Sequence, residues 1–315
     1  MIESFWLSIQ VVFPLCVLML MGYIMKQWLH LSEVTTKQLN QMVFKVFLPL
    51  QLFKNIYTSD LSVDFNVGML IFAVSAILLV FLFLCTIIPK IEPDRKKCSV
   101  MIQGIYRTNY ILYGLPITES IFGSGNLGMA SITAAVVIPL INVLAVLLFE
   151  MFREQKMNWS NTIKGVIKNP LVLSSAAGAI CLAWQIPIPN LMMESVSTFG
   201  SIATPLALIA LGAEFHFTSI KRYRKQLLIT VPGRLIAVPV IFLTLAVLLG
   251  FRGMHLMVLM ALFASPTAIA SYTMASSMGG DEELAGQILV LTTVLSVITI
   301  FCYTFLLNSL GLIFV

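Results

Sequence analysis

The chain has 315 residues, 59% of them hydrophobic and only 10% charged, with a mean hydropathy of +0.96 and a formal net charge of +5. Soluble domains carry about 25% charged residues, so this composition excludes an ordinary globular protein and points to a polytopic one surrounded by lipid bilayer. The basic excess is read by its placement along the chain and not as a nucleic-acid footprint; no nucleic-acid partner is expected.

A span needs about 20 mostly apolar residues. That ruler predicts ten, at residues 4–25, 36–55, 66–88, 99–122, 127–151, 167–184, 192–214, 226–249, 255–279 and 284–312. The first has neither a basic leader nor a small-residue cleavage site and reads as a retained helix. The second carries Lys37, Gln38, Asn40, Gln41 and Lys45 in its first half and Pro49 beyond them. It reads as a helix facing the protein interior.

The fourth span is the unusual one. From Gln103 to Gly123 it holds Arg107, Asn109, Gly114, Pro116 and Glu119. Each unpaired polar group in hydrocarbon costs several kcal/mol, so this stretch must be buried in protein or line a water-filled cavity. Gly114 and Pro116 predict a helix break there. In the fifth span Asn142 and Thr133, and in the second Gln51, read as interhelical hydrogen-bonding residues. The eighth holds Arg234 after Pro232-Gly233, and the ninth holds Ser265-Pro266-Thr267 in mid-span, with Ser271 and Thr273 beyond.

Between ten spans the loops alternate sides. Loops one, three, five and seven hold fourteen of the nineteen Lys and Arg, including Lys26, Lys37, Arg95 to Lys97, Arg153 and Lys221 to Lys225. Basic loops stay cytoplasmic, so the reading is odd loops inside and both termini outside, with Trp6, Trp28 and Trp184 near span ends as interfacial anchors. Loop nine shares the basic side yet holds only Asp281, Glu282 and Glu283.

The halves also match each other. Pro14, Gly22, Trp28 and Pro49 correspond to Pro170, Gly178, Trp184 and Pro205 at an offset of 156, and residues 122–127 correspond to 279–284 at 157. Five spans separate the copies, so the second lies inverted, a plan of secondary transporters with the site where interrupted helices meet. The expected fold is all-α, with ten transmembrane helices in two inverted five-helix repeats, residues 1–157 and 158–315. Asn109 then corresponds to Pro266, and spans four and nine are both broken, crossing helices.

At these residues the chain resembles the auxin efflux carrier family, which includes plant auxin exporters and bacterial permeases for malonate, malate and similar acids. The likeness rests on Arg-Thr-Asn-Tyr with Gly114, Leu115 and Pro116, on Ser-Pro-Thr in span nine, on Phe-Leu-Pro-Leu at 47–50, and on Gly-Gly-Asp at 279–281 before Thr-Thr-x-x-Ser at 292–296. It covers essentially the whole chain. It implies two inverted five-helix repeats, spans four and nine crossing near Asn109 and Pro266, and a scaffold part and a transport part that move against each other. The middle loop is short, unlike that of the plant carriers, which argues for a compact bacterial type and against auxin itself.

The expected substrate-binding set is Arg107, Asn109, Tyr110, Tyr113, Gly114, Arg234, Ser265, Pro266 and Thr267, with helix breaks at Gly114, Pro116 and Pro266. Arg107 either pairs with a substrate carboxylate through its bidentate fork, or snorkels to the interface or pairs with Glu119. Arg234 is either a substrate contact or a partner of backbone carbonyls. Tyr110 and Tyr113 either pack or present a hydroxyl to a cavity wall. Glu119 is the candidate for proton coupling if it faces the cavity. The five Cys are scattered and His30, His216 and His255 fall at loop ends, so neither a disulfide, a metal site nor a core His relay is expected. No nucleophile–base pair and no Gly-x-x-x-x-Gly-Lys loop occurs, which argues against an enzyme or an ATP-driven pump. The reading is a secondary transporter of small mono- or dicarboxylates across the cytoplasmic membrane by alternating access, with no cofactor and with H⁺ or Na⁺ coupling open. An anion channel and a non-transporting receptor are the alternatives. A homodimer through a scaffold surface is compatible with the sequence, which names no residue for it.

Overall fold

A computed structural model describes residues 2–58, 66–113, 117–118, 128–153, 165, 167–215 and 219–313, with side chains from Phe13 onward. These residues are helical apart from turns and one isolated β-bridge. Helix α1 is Ile2–Leu29. Helix α2 (Glu33–Met42) runs through a π turn (Val43–Phe47) into α3 (Leu48–Tyr57). Then come α4 (Val67–Ile91), α5 (Arg95–Tyr106), α6 (Gly128–Met151), α7 (Pro170–Ala183), α8 (Asn190–Glu214) and the short α9 (Ser219–Arg222). Helix α10 (Arg224–Pro232) passes through a second π turn (Gly233–Ala237) into α11 (Val238–Leu248). Helices α12 (Gly253–Ala264), α13 (Ile269–Met278) and α14 (Glu282–Ser309) complete the order.

The helices start where short polar side chains can cap them. Ser32, Asn66, Asp94, Asn169 and Asp281 each accept from first-turn N–H groups, which no intrahelical carbonyl can satisfy.

Among the described residues, five helices are long and apolar enough to cross a bilayer: Val67–Ile91, Met129–Met151, Asn190–Glu214, Arg224–Leu248 and Glu282–Ser309. Phe13–Leu29, Pro170–Ala183 and Gly253–Ala264 are shorter apolar helices. Helix α4 shows what surrounds them. It buries Ala73, Ala76, Ile77 and Val80, yet leaves Ile71, Leu79, Leu82 and Phe83 about 60% exposed. Water would penalise such a surface and lipid does not. Trp28 and Trp184, at 82% and 71%, are exposed at helix ends, as interfacial anchors should be. The protein is an all-helical, multi-pass membrane protein.

The helices sort into two groups. Helix α8 packs along α1, α2 and α3, and α3 packs along α7. Helices α4, α5, α6, α10 to α12 and α14 pack mainly on one another, with α13 against α14; the groups meet where α14 packs along α1 and α13 lies against α2 and α8. The loops meet at two ends. At one, Lys37 pairs with Glu282 at 3.4 Å and Arg222 with Glu283 at 3.1 Å. There too Lys225 donates to the Ile91 carbonyl, Gln226 to Glu92, and Arg95 to the Met151 carbonyl. The acids before α14 thus sit among the basic loops as their ion-pair partners. At the other end Tyr57 donates to the Ile186 carbonyl, and Gly253 to that of Leu312.

Glycines set the closest approach within the first group. A Cβ at Gly22 would fall onto the Ile209 carbonyl oxygen, and one at Gly212 onto that of Met19. With no hydrophobic driving force between helices in lipid, such backbone-to-backbone packing is what holds them. Replacing Gly22 or Gly212 by Ala must push α1 and α8 apart. The expected cost is about 1–3 kcal/mol or more, the range for overpacking, read as a lower melting temperature in detergent. An unchanged melting temperature would show that this crossing does not hold the two helices together.

Candidate functional site

Two helices are interrupted, and the interruptions pair with each other. Helix α5 ends at Tyr106 and helix resumes at residue 110; α12 ends at Ala264 and α13 begins at Ile269. Thr108 and Thr267 face each other across an antiparallel bridge. Asn109 N–H donates to the Pro266 carbonyl at 2.9 Å and Ala268 N–H to the Arg107 carbonyl at 3.2 Å. The two breaks satisfy each other's backbone, as hydrocarbon requires.

Each break also strands carbonyls one turn earlier, and side chains collect them. Pro266 has no N–H, which frees Leu262 four residues back. Asn109 N–H is spent on Pro266, which frees Ile105. Arg234 gathers both, donating Nη2 to the Leu262 carbonyl at 3.2 Å and Nη1 to that of Ile105 at 3.1 Å, and giving Nε to the Ser265 carbonyl at 2.7 Å. Thr267 Oγ1 donates to the Gly104 carbonyl at 2.7 Å, and Ser265 Oγ to that of Ala261. Arg234 is 1% exposed and sits in the π turn after Pro232. An extra residue in that turn changes which face the following side chains occupy. The missing side chain of Gly233 lets α5 approach, since a Cβ would stand 3.2 Å from Ile105 Cδ1.

Beside the crossing lies a cavity of about 80 Å³, between the two groups of helices. Arg107, Thr108, Asn109 and Tyr110 line it from the first break, Asn142 from α6, Gln51 and Asn55 from α3, and Thr204 from α8. Arg107 is 3% exposed. Its Nη2 donates to Asn142 Oδ1 at 2.6 Å, and its Nη1 faces Met274 Sδ and the amide of Gln103. Arg107 Nε and Asn109 Nδ2 are buried donors without a partner. Among the described residues no Asp or Glu lines the cavity. A buried cation flanked by neutral amides and spare N–H donors is incomplete without an anion.

The Membrane transport protein family matches residues 7–304 of this chain. The chain belongs to that family, the auxin efflux carriers. Two archaeal transporters of uncharacterized activity are similar over their whole length. The one from Methanothermobacter thermautotrophicus is 23% identical over 305 residues, 93% of this chain and 96% of its own. The one from Methanocaldococcus jannaschii is 22% identical over 305 residues, 93% of this chain and 97% of its own. A protein of Rhizobium meliloti named "Putative malonate transporter" is 27% identical over 144 residues, 45% of this chain and 44% of its own.

For a carrier of this family, the geometry divides the expected residues. Arg107, Asn109 and Tyr110 line the cavity, although the Tyr110 hydroxyl is spent on the Ala130 carbonyl at 3.2 Å. Arg107 does not snorkel. Tyr113 is buried but does not line the cavity, and neither do Ser265, Pro266, Thr267 and Arg234. Of the two roles open to Arg234, the geometry is that of the carbonyl partner. The described part of the fourth span breaks at 107–109, because pairing with 266–268 replaces helical hydrogen bonds there. Gly114, Pro116 and Glu119 lie outside the described residues. The cavity adds Asn142 and Gln51, which the sequence suggested only as interhelical bonds, and Thr108, Asn55 and Thr204. Their one signal was polarity in otherwise apolar helices.

The two arginines should therefore fail differently. Arg234→Gln leaves freed carbonyls unpaired, at about 1–3 kcal/mol each, and is expected to collapse the melting temperature. Arg107→Gln removes an uncompensated charge and should cost at least about 2 kcal/mol less. Equal losses in a thermal-shift assay would refute this division of roles.

Proposed function

We propose that this carrier is a secondary transporter of small organic anions, mono- or dicarboxylates, that binds them in the cavity beside the crossed breaks. One observation carries the reading: Arg107 Nε and Asn109 Nδ2 are unpaired buried donors at a cavity that no described acid lines. A carboxylate fits that deficit, because it accepts from several N–H groups at once and neutralises the guanidinium. The cavity has room for on the order of five waters, which suits an acid of few carbons. The name of the Rhizobium meliloti relative points the same way.

The movement follows from the placement. The cavity sits where α3 and α8 meet the crossed helices, so sliding one group past the other would expose it to alternate ends. In this reading the helices α1–α3, α7 and α8 are the scaffold. The halves, 1–157 and 158–315, are inverted repeats, whose pairing at Thr108 and Thr267 is the local expression of that symmetry. The basic loops face the cytoplasm, both termini lie outside, and the membrane is the cytoplasmic one.

The test is uptake of labelled malonate, malate and acetate into proteoliposomes, with and without Na⁺ or proton gradients. Saturable uptake is expected for at least one acid. Charge-assisted bonds contribute roughly 1.5–3 kcal/mol, so Arg107→Gln should weaken half-saturation by about 10- to 150-fold, and Asn109→Ala by less. Uptake that survives both substitutions unchanged would move the site elsewhere. Flux that fails to saturate and shows no counterflow would make the protein a channel.

A further inference from the structure

A second buried polar cluster lies away from the crossing, at the end where the basic loops gather. Asn40 of α2 donates Nδ2 to the Tyr272 hydroxyl at 3.1 Å, and Tyr272 of α13 donates that hydroxyl to Glu214 Oε2 at 2.5 Å. Asn40 and Tyr272 are 0% and 1% exposed. The chain of bonds joins the two groups of helices, since Asn40 and Glu214 belong to one and Tyr272 to the other. It borders a cleft of about 260 Å³ at the same end.

The Tyr272–Glu214 distance of 2.5 Å is the length of a charge-assisted O–H···O⁻ bond, which is the bond an ionised Glu214 makes with the Tyr272 hydroxyl. The other oxygens of the cluster are short of hydrogens. Glu214 Oε1 and Asn40 Oδ1 are buried without a donor. The neighbouring hydroxyl of Thr36 gives its proton to the Ser32 and Glu33 carbonyls. Glu214 also closes α8 at its C-terminal end, where the helix carbonyls disfavour an anion. The charged and titratable groups around the cleft are Lys26 of α1, Glu33 and Lys37 of α2, Tyr272 of α13, and Glu282 and Glu283 of α14. With Glu214 that makes four carboxylates against two ammonium groups and the Arg222 guanidinium that pairs with Glu283, an acidic excess.

We propose that Glu214 is a proton-binding site that latches the two groups of helices together. Ionised, it holds Tyr272 by the charge-assisted bond and locks the basic end. A proton taken from water at that end onto Oε1 weakens the bond to Tyr272 and supplies the missing donor. The equilibrium then moves to the unlatched arrangement. Re-latching returns the proton. Acidification on the basic side therefore favours opening on that side. The inference rests on the reading that the two groups move against each other.

The test reads distance, not transport. Spin labels are placed at exposed Val34 and Arg224, one in each group, after serine replaces the five native cysteines. Distance distributions are then measured in nanodiscs from about pH 8 to about pH 5. Two populations are expected, with the unlatched one growing as pH falls, by up to about tenfold per pH unit for one linked proton. In Glu214→Gln the ratio should be independent of pH and unlatched throughout. Tyr272→Phe should lower the latched fraction at every pH, and Glu282→Gln should keep the pH response. Two populations whose ratio ignores pH, or whose pH response survives Glu214→Gln, would overturn the latch while leaving alternating access intact. A single distance at every pH, with and without malonate, would overturn both.

Discussion

Everything else in this fold depends on keeping two interrupted helices in contact inside a medium that offers no hydrogen bonds. A break in one helix alone would leave stranded carbonyls and N–H groups at several kcal/mol apiece. Here the breaks at 107–109 and 265–268 share the cost. Their peptides pair across Thr108 and Thr267, and the carbonyls that pairing cannot reach are taken up by Arg234, Thr267 and Ser265. Arg234 matters most because a guanidinium presents several donors in a fixed fork. Its three carbonyl partners come from both sides of the crossing: Ile105 from one helix, Leu262 and Ser265 from the other. A lysine could not bridge them.

That arrangement leaves side chains of the first break free to face the cavity. With the crossing's backbone satisfied, Arg107 is not needed for structure there, and its remaining donors can face the cavity. Two buried arginines a short way apart thus have opposite circumstances. One is bonded to carbonyl dipoles, whose partial charges stabilise a cation without a counter-ion. The other has Asn142 as a partner but an idle Nε and no acid nearby. In a low-dielectric interior the first is a finished interaction and the second an invitation to an anion.

Much of this was legible in the sequence, for identifiable reasons. Lipid removes the option of leaving polar groups unsatisfied, so Arg107, Asn109 and Pro266 inside apolar stretches had to mark broken or cavity-lining helices, and they do. The apolar ruler found the helical segments, and the basic loops do gather at one end. What could not be read was which polar atom meets which. Arg234 and Arg107 look alike in sequence, because both are single cations deep in apolar spans; only the direction of the carbonyls around Arg234 separates them. The crossing lies at Asn109 and Pro266, where the resemblance placed it, while the expected break at Gly114 and Pro116 falls outside the described residues. A break imposed by pairing with a distant strand of chain carries no local signal. Asn142 and Thr204 were likewise invisible as cavity residues, since a lone polar side chain in a span reads equally as helix-to-helix glue.

The glycine contacts and the polar clusters assign different mechanical characters to the two interfaces. Between α1 and α8 the backbones touch at Gly22 and Gly212, with no side chain to rearrange, so that surface has one close-packed arrangement. Between the two groups, α1 packs on α14 through apolar side chains, and beside that seam lie contacts of another kind: Tyr272 to Glu214 and Asn40, Lys37 to Glu282, and a cavity where Gln51 and Thr204 face the crossing. Hydrogen bonds and ion pairs of that sort can be exchanged for water or a proton at little net cost, whereas a backbone seam cannot. A carrier needs both kinds of surface: one to serve as a fixed frame, and one that can be made and broken in each cycle. The division falls between the same two sets of helices that enclose the cavity, so motion along the exchangeable interface necessarily reshapes the site that holds Arg107.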